Sequence, residues 1–215
     1  MKARLYGIVL GILLAGFAAR AQDASKPVEV KGHVLGESVD QFFAIAGSPH
    51  LVADCRTVRH DRKKAKKLGV ELKLCDEVMK AEAGARVEAT DPKFESPTTP
   101  AEPLPPSQAV LEGKRLVSVT LIFTERLPAL LPDLTAKYGP PESAGARKLT
   151  SGYGATFDAE NAAWKMPDGA TITATENVQF GDVVGENRYT SVSFLTKEEA
   201  AHAPKTETKN PNRFN

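Results

Sequence analysis

The sequence predicts an α+β fold: an antiparallel sheet with short helices packed on one face, stapled by one disulfide. Three observations carry that reading. The stretch Leu116 to Pro141, LVSVTLIFTERLPALLPDLTAKYGPP, alternates like a strand and then turns into a helical stripe closed by Gly-Pro-Pro. From Tyr153 to Leu195 the chain is sheet-like and holds one tight hairpin. Cys55 and Cys75 are the two cysteines of a chain whose N-terminus reads as an export signal.

Lys2 and Arg4 precede an uncharged run from Leu5 to Ala19, and Ala19-Arg20-Ala21 supplies a small-x-small cleavage site. Residues 1–21 are therefore predicted to be a secretory signal peptide, cut before Gln22. The run is shorter than the ~20 residues that span a bilayer, and no Cys follows the cleavage site to carry a lipid. The mature chain is predicted to have no transmembrane segment and to be exported, periplasmic or extracellular. Of the 28 basic residues, loss of Lys2, Arg4 and Arg20 leaves 25 against 27 acidic ones, so global charge argues for no particular partner. Residues 22–201 are enough chain for one domain with its own core. Two cysteines in an oxidising compartment predict a Cys55–Cys75 disulfide. They lack the C-x-x-C spacing, or a histidine at ligand distance, that a metal pair or reactive thiol would show.

Val28, Val30 and Val34 permit a short first strand between Pro27 and Val34. Ser38 and Gln41 form the pattern of a capping box, so a helix is predicted with Val39, Phe42, Phe43 and Ala46 inward and Gly47-Ser48-Pro49 as its stop. Leu51, Val52, Cys55 and Val58 suit one helical piece, and Leu72, Cys75, Val78 and Met79 a second. Gly69 is the break between them, with VELKL, Val70 to Leu74, as an alternative strand. Asp91 to Pro106 holds six prolines in 16 positions, which excludes a helix or an interior strand and predicts an exposed insertion.

In the strand after that insertion Val117, Val119, Leu121 and Phe123 share one side and Ser118 and Thr120 the other. Leu116 and Ile122 break the alternation and imply that the second face is partly covered. Leu127, Leu130, Leu131, Leu134 and Tyr138 then recur at helical period. Pro128 suits a first helical position, whereas Pro132 inside a helix removes a bond and crowds the preceding turn. An irregular turn over Leu127 to Leu131 is therefore expected, with regular helix from about Pro132 to Tyr138 and a stop at Gly139. Ala162, Trp164 and Met166 alternate into the turn Pro167-Asp168-Gly169, and Ala170, Ile172 and Ala174 alternate out of it. A looser segment, Glu176 to Arg188, leads to a last strand from Tyr189 to Leu195 with Val192 and Phe194 inward. The chain ends in a frayed helical turn from Lys197 and a disordered tail over residues 202–215.

SVDQFFAIAGSP and LPALLPDLTAKYGPP, with the strand-helix-strand-strand-strand order and the Trp164 hairpin, resemble a group of exported small proteins. These are the outer-membrane assembly lipoproteins of the SmpA/OmlA type and proteins of the β-lactamase-inhibitory-protein type. The chain also resembles uncharacterised exported bacterial proteins that share its Cys pair. The resemblance implies helices on an antiparallel sheet and a role in binding other proteins.

No reaction, cofactor or metal signature is legible. His33, His50, His60 and His202 are scattered, and there is no P-loop, G-x-S-x-G or G-x-G-x-x-G. Asp158 and Glu160 share a strand face that is normally polar, and Trp164 alternates as a core residue does. The sharpest local feature is the run Arg56, Arg59, Arg62, Lys63, Lys64, Lys66 and Lys67, with His60 and a single acid, Asp61. Such a run attracts anionic surfaces when it is not merely a solvated face. It has no interleaved aromatics for nucleic-acid bases to stack on. The function expected is that of a non-enzymatic binding or interaction module, its partner another exported protein or an anionic envelope surface. A secreted enzyme with a dispersed site and a structural envelope component remain as alternatives.

Overall fold

The computed structural model describes residues 27–58, 60–94, 104–150, 154, 156–180 and 186–202. The predicted signal segment, Arg59, the middle of the proline-rich stretch and the residues beyond His202 lie outside the described residues. The fold is α+β, as expected. β1 (Glu29–Val30) and β2 (His33–Val34) form a hairpin of their own rather than one strand. Lys31 and Gly32 both have positive φ, the signature of a tight two-residue hairpin turn, and this reverses the chain. α1 (Val39–Ile45) starts in the expected capping box, with Gln41 N donating to Ser38 Oγ and Ser38 N to Gln41 Oε1. Phe42 and Phe43 are buried, whereas Ala46 caps the helix.

Three helices follow where two were expected: α2 (Leu51–Val58), α3 (Arg62–Leu68) and α4 (Leu72–Glu82). The extra one is the charged run itself, and VELKL enters α4 instead of a strand. β3 (Val87–Ala89) and β4 (Gln108–Glu112) flank the proline-rich insertion and carry no alternation long enough to read from sequence. β4 turns through Gly113–Lys114 into β5 (Arg115–Phe123).

The register shifts between Val110 and Leu111, placing Leu111 opposite Leu116 and Val110 opposite Ser118, so β5 carries one extra residue. That bulge explains the broken alternation. It returns Leu116 to the core and leaves Val117 only half-buried. On the opposite face Val110 and Ile122 are buried outside the main core, and Ile122 N donates to Ser107 Oγ.

α5 (Leu127–Tyr138) is one regular helix, not a turn followed by a helix. Pro128 lies in the first turn, where its missing N–H costs nothing, and Pro132 forfeits only the bond to the Pro128 carbonyl. The loss, about 3 kcal/mol for an interior proline, is offset by burying Leu127 fully and Leu130, Leu131 and Leu134 in part, at ~1.5–3 kcal/mol for a fully buried Leu. α5 carries the chain across the sheet to the far edge. There β6 (Ser143–Thr150), β7 (Thr156–Lys165), β8 (Thr171–Phe180) and β9 (Glu186–Leu195) meander back until β9 pairs with β5. The antiparallel order is β3-β4-β5-β9-β8-β7-β6, and α6 (Lys197–His202) closes the described chain. Trp164 is in the core as expected, its Nε1 donating to Gly139 O at 2.8 Å.

The segment from Glu176 that sequence renders loose is ladder on both sides, Glu176 facing Thr190 and Phe180 facing Glu186. β7 pairs with β8 only from Asn161 to Lys165. Beyond that point the carboxylate of Glu176 enters between them. It accepts Glu160 N at 3.0 Å, Leu127 N at 3.0 Å and the Arg126 guanidinium at 3.1 and 3.3 Å. Carbonyls freed by the parting of the strands are taken by arginines, Glu176 O by Arg147 and Asp158 O by Arg188.

Candidate functional site

α2, α3 and α4 form a loop closed on itself. Cys55 on α2 and Cys75 on α4 are bonded, with Cα atoms 4.9 Å apart and a sequence separation of 20, and α3 lies inside that span. Asp61 caps α3 by accepting Lys63 N at 2.9 Å and Lys64 N at 3.1 Å through Oδ1. Gly69, at φ 70°, takes the left-handed position that ends it. Ala65 is the one buried residue of α3.

The remaining positions of α3 are exposed, and Arg62, Lys63, Lys64, Lys66 and Lys67 are among them. At 100° per residue these five cations sweep an arc of about 200°, with Ala65 pointing the other way. Among the described residues none of the five has an acid within ion-pairing distance. The helix is short of what stands alone in water. Arg62 with Lys66 and Lys63 with Lys67 are like charges at i, i+4, each costing ~0.2–0.5 kcal/mol. α3 thus forms because its cap, Ala65 and the covalent loop hold it, and any anion that enters the field of the five relieves their repulsion.

The other members of the basic run behave differently. Arg56 belongs to the scaffold: its guanidinium bonds Glu82 of α4 and lies 3.6 Å from Asp40 of α1. Arg59 lies outside the described residues. His60 faces Asp76 at 3.1 Å. Leu68 is exposed at the end of α3.

A second charged cluster escapes sequence reasoning. His33 is fully buried, with Nδ1 2.5 Å from Glu37 Oε1 and Nε2 2.5 Å from Asp91 Oδ2. Burial works against the charged ring, but its hydrogen bonds to the Glu37 and Asp91 carboxylates outweigh it and raise the His33 pKa above 6.5. Both ring nitrogens are engaged, so neither is free to take a proton from a substrate. The i, i+4 spacing of His33 and Glu37 is a faint sequence signal, and Asp91, 58 residues further on, has none.

Asp158 is exposed and Glu160 half-buried on β7. Among the described residues no group of three His, Cys, Asp or Glu side chains is placed to hold a metal ion. None of their helices is long and apolar enough to cross a membrane. Compared with protein-family models, curated proteins and solved structures, the chain matches none.

Proposed function

We propose that this protein is an exported, non-enzymatic interaction module that docks on a phosphate-bearing anionic surface of the cell envelope through α3. One observation carries the reading: five exposed cations on one short helix, without acidic partners among the described residues, fixed by a disulfide-closed loop. The disulfide itself suits an oxidising compartment. The resemblance to exported binding proteins points the same way. The scaffold residue Arg56 keeps α2 and α4 in place, and the exposed face of α3 is left for the partner.

A basic residue beside an anionic membrane contributes about 1 kcal/mol, and the effect fades beyond a Debye length of ~8 Å at physiological salt. Co-sedimentation with vesicles of phosphatidylglycerol and phosphatidylcholine tests this across a salt series. The protein should bind the anionic vesicles at low salt, release as salt rises, and ignore pure phosphatidylcholine. A variant with Arg62, Lys63, Lys66 and Lys67 changed to Gln should lose at least ten-fold in affinity. Equal binding by the two proteins, or no binding at low salt, refutes the proposal.

A further inference from the structure

We propose that His33, Glu37 and Asp91 form a charge-clamped latch that fastens the segment Asp91–Phe94 to the N-terminal hairpin and opens when His33 loses its proton. The three side chains come from β2, from the turn before α1 and from the start of the proline-rich stretch, and all three are buried. Among the described residues the charged groups facing the imidazole are Glu37 and Asp91. α1 contributes the neutral ring of Phe42, with centroids 4.6 Å apart, and the segment contributes Phe94 at 5.3 Å. The nearby cations are turned elsewhere, Lys93 Nζ to Ile45 O and Arg115 to Gly36 O.

A protonated imidazole donates to both carboxylates. A neutral one has a single N–H, so one carboxylate would face a lone pair at 2.5 Å, and the side chains of His33 and Asp91 are fully buried. Such an arrangement leaves a buried acceptor uncompensated. The two acids are not equally free to leave. Glu37 also accepts Val34 N at 3.1 Å and is tied to His33 by four residues of chain. Asp91 arrives from 58 residues away and belongs to a self-contained turn, accepting Lys93 N at 2.7 Å on its side chain and Phe94 N at 2.8 Å on its carbonyl. That turn can detach as a unit, and once off the hairpin its two internal hydrogen bonds lie open to water and their amides exchange. Detachment would bring Phe94 to solvent and uncover the side of His33 that faces it.

The sign follows from the raised pKa of His33. The latch is fully closed below the unfolded value of 6.5 and is lost as pH rises through the folded value. It is therefore shut below pH 6.5 and opens as pH rises through the raised folded value.

Nuclear magnetic resonance of the whole protein tests this from pH 5 to 10. Side-chain nitrogen shifts should show His33 losing its second proton at a pH above 6.5. Over its deprotonation, the amide protection factors of Lys93 and Phe94 should fall at least ten-fold, while those of Ile172 and Phe194 hold. In an Asp91→Asn variant the Lys93 and Phe94 amides should already be unprotected at pH 6. Loss of that proton at or below pH 6.5 overturns the latch. So does titration of His33 with Lys93 and Phe94 unmoved, or loss of Ile172 and Phe194 protection over the same range. Because the first arm uses the unaltered protein, the outcome does not depend on how the variant folds.

Discussion

Replacing Glu176 tests how the long helix is fastened to the sheet. Its carboxylate is the acceptor for Leu127 N at the first turn of α5, for Glu160 N where β7 leaves β8, and for the Arg126 guanidinium. Glu176→Ala strands two backbone donors, each worth ~1–3 kcal/mol when left unsatisfied. Arg126, whose side chain is half exposed, turns to solvent at little cost. Relief from burying a carboxylate returns part of the loss, since desolvating an ion costs several kcal/mol in its own right. The net expectation is destabilisation by about 2–4 kcal/mol, read from urea denaturation followed by circular dichroism. The pH dependence carries a second signature. Burial raises the Glu176 pKa, but hydrogen bonds from Arg126 and from the Glu160 and Leu127 amides outweigh it, and the folded-state pKa lies below the ordinary value. Stability from this group is present above the unfolded carboxylate pKa and is lost as pH falls through the folded one. Glu176→Gln should therefore flatten part of the acid limb of stability against pH. A loss below ~0.5 kcal/mol for Glu176→Ala, within the range of ordinary surface changes, would refute the reasoning, as would an acid limb unchanged in Glu176→Gln.

Trp164→Ala should cost ~3–5 kcal/mol in a denaturant melt, because the indole is buried and its N–H is taken by Gly139 O. A loss below ~0.5 kcal/mol would place the indole at the surface. Thiol titration of the unreduced, denatured protein should find no free thiol, and reduction should cost roughly 3 kcal/mol for a loop of this length. Because α3 lies inside that loop, reduction should speed tryptic cleavage at Lys63 to Lys67 at least ten-fold. An unchanged cleavage rate would mean that the cap and Ala65 hold the helix without the bond.

What sequence shows and what it hides divide along the range of the interactions. Ser38 with Gln41, the stripe from Leu127 to Tyr138 and the alternation around Pro167-Asp168-Gly169 are local patterns, and each became the element it announced. β6 was missed because SAGARKLT is an exposed edge strand with one face on solvent and no apolar alternation to declare it. The bulge that brings Leu116 inward is visible only once β4 is laid beside β5. Pro132 was over-weighted: a local rule against proline in helices yielded to a stripe of leucines that only the sheet can reward. The basic run was legible as charge. Its division into Arg56, bound to Glu82, and the five cations of α3 was not, because Glu82 is 26 residues away. The His33 cluster lies furthest from sequence reasoning, assembled by a contact across 58 residues.

The central claim is that α3 is the docking face, and mapping amide perturbations on anionic bicelles tests it residue by residue. Two-dimensional nitrogen–proton spectra of residues 22–215, recorded at low salt with phosphatidylglycerol-containing bicelles, report which amides meet the surface. Shifts and broadening should concentrate on residues 62–68, with the sheet strands β5, β8 and β9 unmoved, and should vanish when salt is raised. Perturbations centred on the sheet, or spread evenly over the molecule, would contradict the claim.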